Sequence, residues 1–113
     1  MNKLYHYRAR VVSVYDGDTI TVNIDLGFGV TMHKQKIRLL GIDTPELRGS
    51  EEEKTKGRAA RDYLRDLIDG RHIMLKTKKD KTGKYGRLLG TIYINDININ
   101  QMMIDHGYAV EYK

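Results

Sequence analysis

Asp18 and Asp43 lie far apart in this 113-residue sequence, yet each stands at the edge of a segment with strand character. Residues 19–26 (TITVNIDL) alternate strictly, with Ile20, Val22, Ile24 and Leu26 on one face and Thr19, Thr21, Asn23 and Asp25 on the other. A third strand is predicted over residues 31–42, after the break at Gly27-Phe28-Gly29. If these two strands pair as an antiparallel hairpin, the start of one lies beside the end of the other. The two carboxylates then become neighbours and repel unless something positive stands between them. A hard divalent cation with oxygen ligands meets that need; Ca²⁺ accepts an irregular set of carboxylates, carbonyls and water, and Mg²⁺ is its competitor.

Asp43 is followed by Thr44, Pro45 and Glu46. Proline fixes its own backbone and pushes the preceding residue away from helix, so Asp43 and Glu46 are aimed at one volume without a helix to carry them. A glutamate held near a cation and a substrate is placed to take a proton from water. Arg38 sits in the apolar run Ile37-Arg38-Leu39-Leu40, and Arg87 follows Lys84-Tyr85-Gly86 at a turn. Guanidinium forks match phosphate oxygens and offset the charge of a five-coordinate transition state. Each residue alone has a plainer reading: Asp16-Gly17-Asp18 as turn chemistry, Asp43 as a helix N-cap, the arginines as surface charge.

The elements that must position these groups can be read in outline. A valine-rich strand is expected over residues 8–15, turning through 16–18 into the second strand. Ser50-Glu51-Glu52-Glu53 reads as a capping box. Beyond it Ala59, Ala60, Tyr63, Leu64, Leu67 and Ile68 recur at helical spacing, while Arg58, Arg61, Asp62, Arg65 and Asp66 are expected to face out. Gly57 leaves two starts open for this helix, at the capping box or only at the glycine itself, and Asp69-Gly70 ends it. Strands over 71–78 and 87–94 flank a turn at 80–86; a short helix over 99–106 and a final extended piece close the chain. Three strands, a helix and two returning strands make an α+β fold, a five-stranded Greek-key barrel of OB type in one domain covering residues 1–113.

Composition narrows the chemistry. Cysteine is absent, which excludes disulfides, thiolate nucleophiles and cysteine-based zinc sites. His6, His33, His72 and His106 show no ligand spacing, and Ser13 and Ser50 have no nucleophile elbow. Met102 and Met103 are expected to fill core. Lys and Arg number 20 against 15 Asp and Glu, for a formal charge of +5. Residues 71–87 hold seven of those cations and one acid, a cluster suited to a polyanionic partner or simply to a solvated face. No apolar run is long enough to span a membrane, and residues 1–8 carry no signal-like apolar stretch, so the compartment stays open.

Taken together, Asp16-Gly17-Asp18-Thr19, the run from Arg38 to Glu46 (RLLGIDTPE) and residues 80–87 (DKTGKYGR) resemble the signatures of the staphylococcal nuclease family, in that family's order and over nearly the whole chain. The resemblance implies a Ca²⁺-dependent endonuclease acting on DNA and RNA, preferably single-stranded, with little sequence specificity. It would cleave the P–O5′ bond and leave 3′-phosphate ends. It implies Asp18, Asp43 and the Thr44 carbonyl as Ca²⁺ ligands, with Asp16 behind them. It implies Glu46 as the base, Arg38 and Arg87 as the phosphate clamp, and Lys84 and Tyr85 at a terminal phosphate. Tyr112 is the candidate for stacking on a base. The 25–36 connection looks longer than the family's, and the chain ends at Lys113, before a C-terminal helix that members often carry. A monomer is expected, with the patch left by that helix as the place for any pairing. The alternative is a non-catalytic OB module that binds single-stranded nucleic acid, which would be expected to lack acids or arginines of this constellation.

Overall fold

The computed structural model describes residues 5–79 and 88–112. Its strands are β1 (His6–Asp16), β2 (Thr19–Gly27), β3 (Val30–Leu39), β4 (Ile42–Asp43), β5 (His72–Lys79), β6 (Leu88–Ile94), β7 (Ile97–Asn98) and β8 (Val110–Glu111). Helix α1 (Glu51–Ile68) lies between β4 and β5, and α2 (Ile99–Asp105) follows β7.

The main sheet runs β3-β2-β1-β5-β6-β7, and β6 returns to pair in parallel with β3 through Ile37↔Leu88, Arg38↔Leu89 and Leu39↔Gly90. That pairing closes β1, β2, β3, β5 and β6 into the expected OB-type barrel. Alternation dictates its interior: Ile20 and Val22 of β2, Ile37 of β3, Leu75 of β5 and Ile92 of β6 are all fully buried. Ala60, Leu64 and Ile68 supply the apolar stripe of α1 to the same core, and Met103 does so from α2.

Three local expectations change. The third strand does not run on to residue 42: it ends at Leu39, turns through Leu40 and a left-handed Gly41, and gives way to the separate strand β4, which pairs with β8. Leu26 is exposed, although it continues the buried face of β2. Here the β2–β3 hairpin has run past the barrel body, and Leu26, Phe28, Val30 and Met32 are all exposed. Ala59 is exposed too, because the buried stripe of α1 follows Gly57, Ala60, Leu64 and Ile68. Arg65 is exposed as expected, and its Nη2 also donates to the Val14 carbonyl at 3.1 Å.

Helix α1 begins at the capping box, with the Ser50 hydroxyl accepting from the Glu53 N–H at 3.2 Å and three acids in the first turn. Gly57 lies inside this helix for a packing reason. A Cβ there would stand 2.5 Å from the Glu46 carbonyl oxygen and 2.9 Å from that of Pro45. Gly17 plays the same part from the other side, where a Cβ would meet the Thr44 side chain at 2.8 Å and Ala60 at 2.9 Å. Two glycines therefore let the β1–β2 turn, the 44–46 segment and α1 pack closely, Gly57 against backbone and Gly17 against the side chains of Thr44 and Ala60.

Candidate active site

Asp18 is the best-determined group of the site. It is 7% exposed at the head of β2. Its Oδ1 accepts from the Thr19 hydroxyl at 3.2 Å, its Oδ2 accepts from the Thr44 N–H at 3.1 Å, and its carbonyl accepts from the Leu39 N–H. The Thr44 bond links the β1–β2 turn directly to the Asp43-Thr44-Pro45-Glu46 segment, and Thr44 itself is buried.

Arg38 pairs across the hairpin with Thr19, which places it one residue from Asp18 on the facing strand. Its Nη1 donates to the carbonyls of Leu39 at 3.1 Å and Ile42 at 2.9 Å, bracing the turn between β3 and β4. Its Nη2 lies 3.4 Å from Asp18 Oδ2 and 3.3 Å from Asp43 Oδ1. One nitrogen thus spans both carboxylates, and the 25-residue separation closes to a few ångströms as the hairpin argument required. The guanidinium carbon also stands 5.8 Å from the centroid of the Tyr112 ring, on a segment tied back by the bond from Tyr112 N–H to the Gly41 carbonyl.

Glu46 is exposed and faces the same cavity, of about 610 Å³, as Asp16, Asp18, Arg38 and Asp43. Arg65 of α1 and Lys36 of β3 line it as well. The site is therefore acidic at its floor and basic around its rim. Arg87, Lys84 and Tyr85 lie outside the described residues, and β6 begins one residue after Arg87.

Asp16 and Asp18 share the β1–β2 turn and behave oppositely. Burial raises the Asp16 carboxyl from 3.8 to about 7, helped by its hydrogen bond to and the charge of Asp18. For Asp18 burial is again the largest influence, but the Asp16 hydrogen bond, the Arg38 charge and the donors of Thr44 and Thr19 together outweigh it and lower its pKa. The turn thus holds one carboxylate and one carboxylic acid near neutrality. An acid whose folded value is raised binds more protons folded than unfolded between those two values. Stability of the ion-free protein should therefore fall as pH rises from about 4 to about 7. Asp18 contributes in the opposite sense and in a separate window, losing its stabilisation only as pH drops below 3.8 through its folded value. Asp16→Asn should flatten the higher window, measured as melting midpoint against pH in chelator. A parent profile that is already flat there would contradict the assignment.

The donor set is all oxygen, as a hard cation needs. Among the described residues no three or more His, Asp or Glu groups gather as a metal site, so an ion here would rest on two carboxylates plus main-chain oxygen and water. Asp18 and Asp43 already reach one nitrogen between them, and the Asp43 side chain is 48% exposed, so its carboxylate is open to an ion from the solvent side. The residues present fit such a cation.

Two supporting residues escaped the sequence reading. Asn100, 3% exposed, accepts from the Ile92 N–H and donates to the carbonyls of Leu40 and Gly90, so it clamps the turn that delivers Asp43. Its only signal was a polar residue set within the apolar run of a short helix. Arg65 carried none, since charge at helical spacing looks the same whether it faces solvent or folds back over a cavity.

Comparison with known proteins bears on this arrangement. The chain is 37% identical over 106 residues to an uncharacterized endonuclease of Escherichia coli O157:H7, covering 92% of this chain and 60% of that protein. It is 33% identical over 115 residues to Protein ParB of Escherichia coli (94% and 58%). It is 28% identical over 101 residues to the thermonuclease of Staphylococcus hyicus (88% and 56%). The chain spans about half the length of the curated relatives it matches. Residues 36–113 match the family model described as staphylococcal nuclease homologue, a span that takes in Arg38, Asp43, Thr44 and Glu46. With its barrel closed and its acids drawn to one arginine, the chain belongs to the staphylococcal nuclease family.

Proposed function

We propose that this protein is a Ca²⁺-dependent endonuclease that hydrolyses DNA and RNA, preferably single-stranded, at the P–O5′ bond. The observation that carries the proposal is the meeting of Asp18, Arg38, Asp43 and Glu46 at one cavity in a chain of this family. Asp18, Asp43 and the Thr44 carbonyl would hold the ion, with Asp16 behind Asp18. When bound, the ion supplies charge to polarise a phosphoryl oxygen.

The chain's own residues do the rest. Glu46 orients a water and takes one of its protons as the hydroxide adds to phosphorus. Arg38, joined by Arg87, holds the phosphate and offsets the negative charge that builds on its oxygens. The bond to the 5′ oxygen breaks, that oxygen takes up a proton, and the products carry a 3′-phosphate and a 5′-hydroxyl. Lys84 and Tyr85 are assigned to a neighbouring phosphate. Tyr112, beside Arg38, is assigned to stacking on a base. These contacts address phosphate, sugar and ring faces, so sequence preference should be slight.

The test is incubation of the purified protein with single-stranded DNA, with Ca²⁺ or with chelator, followed by end-group analysis. Cleavage that needs Ca²⁺ and leaves 3′-phosphates is expected. Salt-sensitive retention of the DNA without any product would favour a binding module, and 5′-phosphate ends would refute the assigned bond.

A further inference from the structure

A second basic surface lies well away from the candidate active site. On the outer face of the barrel the strand register sets Arg8 beside Met74 and Met74 beside Tyr93, with His6 beside Lys76 and Arg10 beside His72 in the flanking rows. All of these point outward, because Ala9, Val11, Ile73, Leu75 and Ile92 take the inward positions. Arg8, Arg71, Met74 and Tyr93 line a cavity of about 780 Å³ between β1, β5 and the β6–β7 turn, larger than the one that holds Asp18.

The charges of this face are unbalanced. Among the described residues, Arg8, Arg10, Lys76 and Lys78 form no ion pair. Asp25 stands opposite Arg8 in register, yet among the described residues the two form no ion pair, and Asp25 Oδ1 accepts from the Gly27 N–H at 2.8 Å. Among the described residues, the acid that lines the cavity is Asp96. A purely solvated face has no use for a concave floor of tyrosine and methionine between cations. Cations that track a backbone, set around an aromatic on which a base can stack, are the means by which sheet surfaces hold single strands.

We infer that the groove between β1, β5 and the β6–β7 turn is a second docking surface for a nucleic-acid strand, remote from the site of cleavage. The inference rests on the reading of the protein as a nuclease. Arg8 is eight residues from Asp16 along β1, or roughly 26 Å at the rise of an extended strand. A strand held in the groove therefore reaches the cavity of Asp18 only if it is several nucleotides long. The groove would strengthen binding of long substrates by making the second contact intramolecular, and would do nothing for short ones.

Arg8→Gln/Lys76→Gln tests this in the whole chain, with an unchanged melting midpoint as the control for folding. In chelator, where nothing is cut, binding of a labelled oligothymidylate of about 30 nucleotides should weaken about tenfold or more, and its salt slope should become shallower by about 1.4 for two lost cations. With Ca²⁺, KM for that substrate should rise while turnover of an oligonucleotide of about four residues stays at the parent value. Equal binding and equal slope in parent and variant would overturn the inference, as would equal losses on long and short substrates. Loss of binding to polyglutamate with none to DNA would overturn it too. The binding arm needs no cleavage, so a protein that binds through the groove but never cuts would refute the proposed activity and leave this surface standing.

Discussion

Glu46→Gln is expected to slow Ca²⁺-dependent cleavage of single-stranded DNA by about a hundred- to ten-thousandfold, the usual worth of a positioned general base. The fold should not notice. Glu46 is exposed and lies in an irregular segment whose neighbours are held by other groups: Thr44 by its bond to Asp18, and the Pro45–Glu46 backbone by contact with Gly57. The amide keeps the shape of the carboxylate but loses its charge and its power to take a proton. Substrate binding should therefore be nearly unchanged, and the loss should appear in kcat. A variant that cuts at the parent rate would remove Glu46 from the chemistry. One that loses binding and turnover together would make it a substrate contact instead.

Arg38→Gln should cost both activity and stability, and the two costs have separate origins. The guanidinium contacts two carboxylates and two main-chain carbonyls, with its own side chain 16% exposed and that of Asp18 9% exposed. Removing one partner of a buried pair leaves the other charged and uncompensated, worth about 3 kcal/mol at the lower end of the usual range. Denaturant unfolding would read that loss. Asp18→Asn added to Arg38→Gln should restore part of it, because the stranded charge is then gone. Activity should not return in the double variant, since the phosphate clamp is still missing and the ion has lost a ligand. Arg38→Lys separates the two effects further. It keeps the charge but not the fork, so stability should recover more than turnover, which should stay about a hundredfold or more below the parent. Full activity in Arg38→Lys would show that geometry at this position is unimportant.

Much of this arrangement was legible because it depends on period and register. The strict alternation of residues 19–26 fixes which side of β2 meets the core, and hairpin pairing then brings residue 18 to the far end of β3. The parallel closure of β6 onto β3 is a long-range event, readable only through the order of elements. Boundaries were lost where tertiary context overrides local pattern. Leu26 alternates correctly and is still exposed, because nothing in the pattern says where the barrel stops and the hairpin continues alone. Gly57 left the start of the helix open and is a contact point inside it, a distinction that depends on the partner backbone of Pro45 and Glu46. The break at Leu40 and Gly41 depends on Asn100, 60 residues away, whose side chain holds the Leu40 carbonyl. Asp18, Arg38 and Asp43 could be placed near one another because strand pairing sets their positions. Arg65 and Asn100 gave no such signal, because a charge on a helix face and an amide in a short helix show nothing in sequence of the carbonyls they bind.

Calorimetric titration of the protein with Ca²⁺ decides whether these carboxylates hold an ion. A single site is predicted that depends on the carboxylates of residues 18 and 43, so Asp18→Asn and Asp43→Asn should each abolish the heat, while Glu46→Gln, a residue assigned to water and not to the ion, should retain most of it. Binding of the same strength in both aspartate variants would place the ion elsewhere and rule out this site.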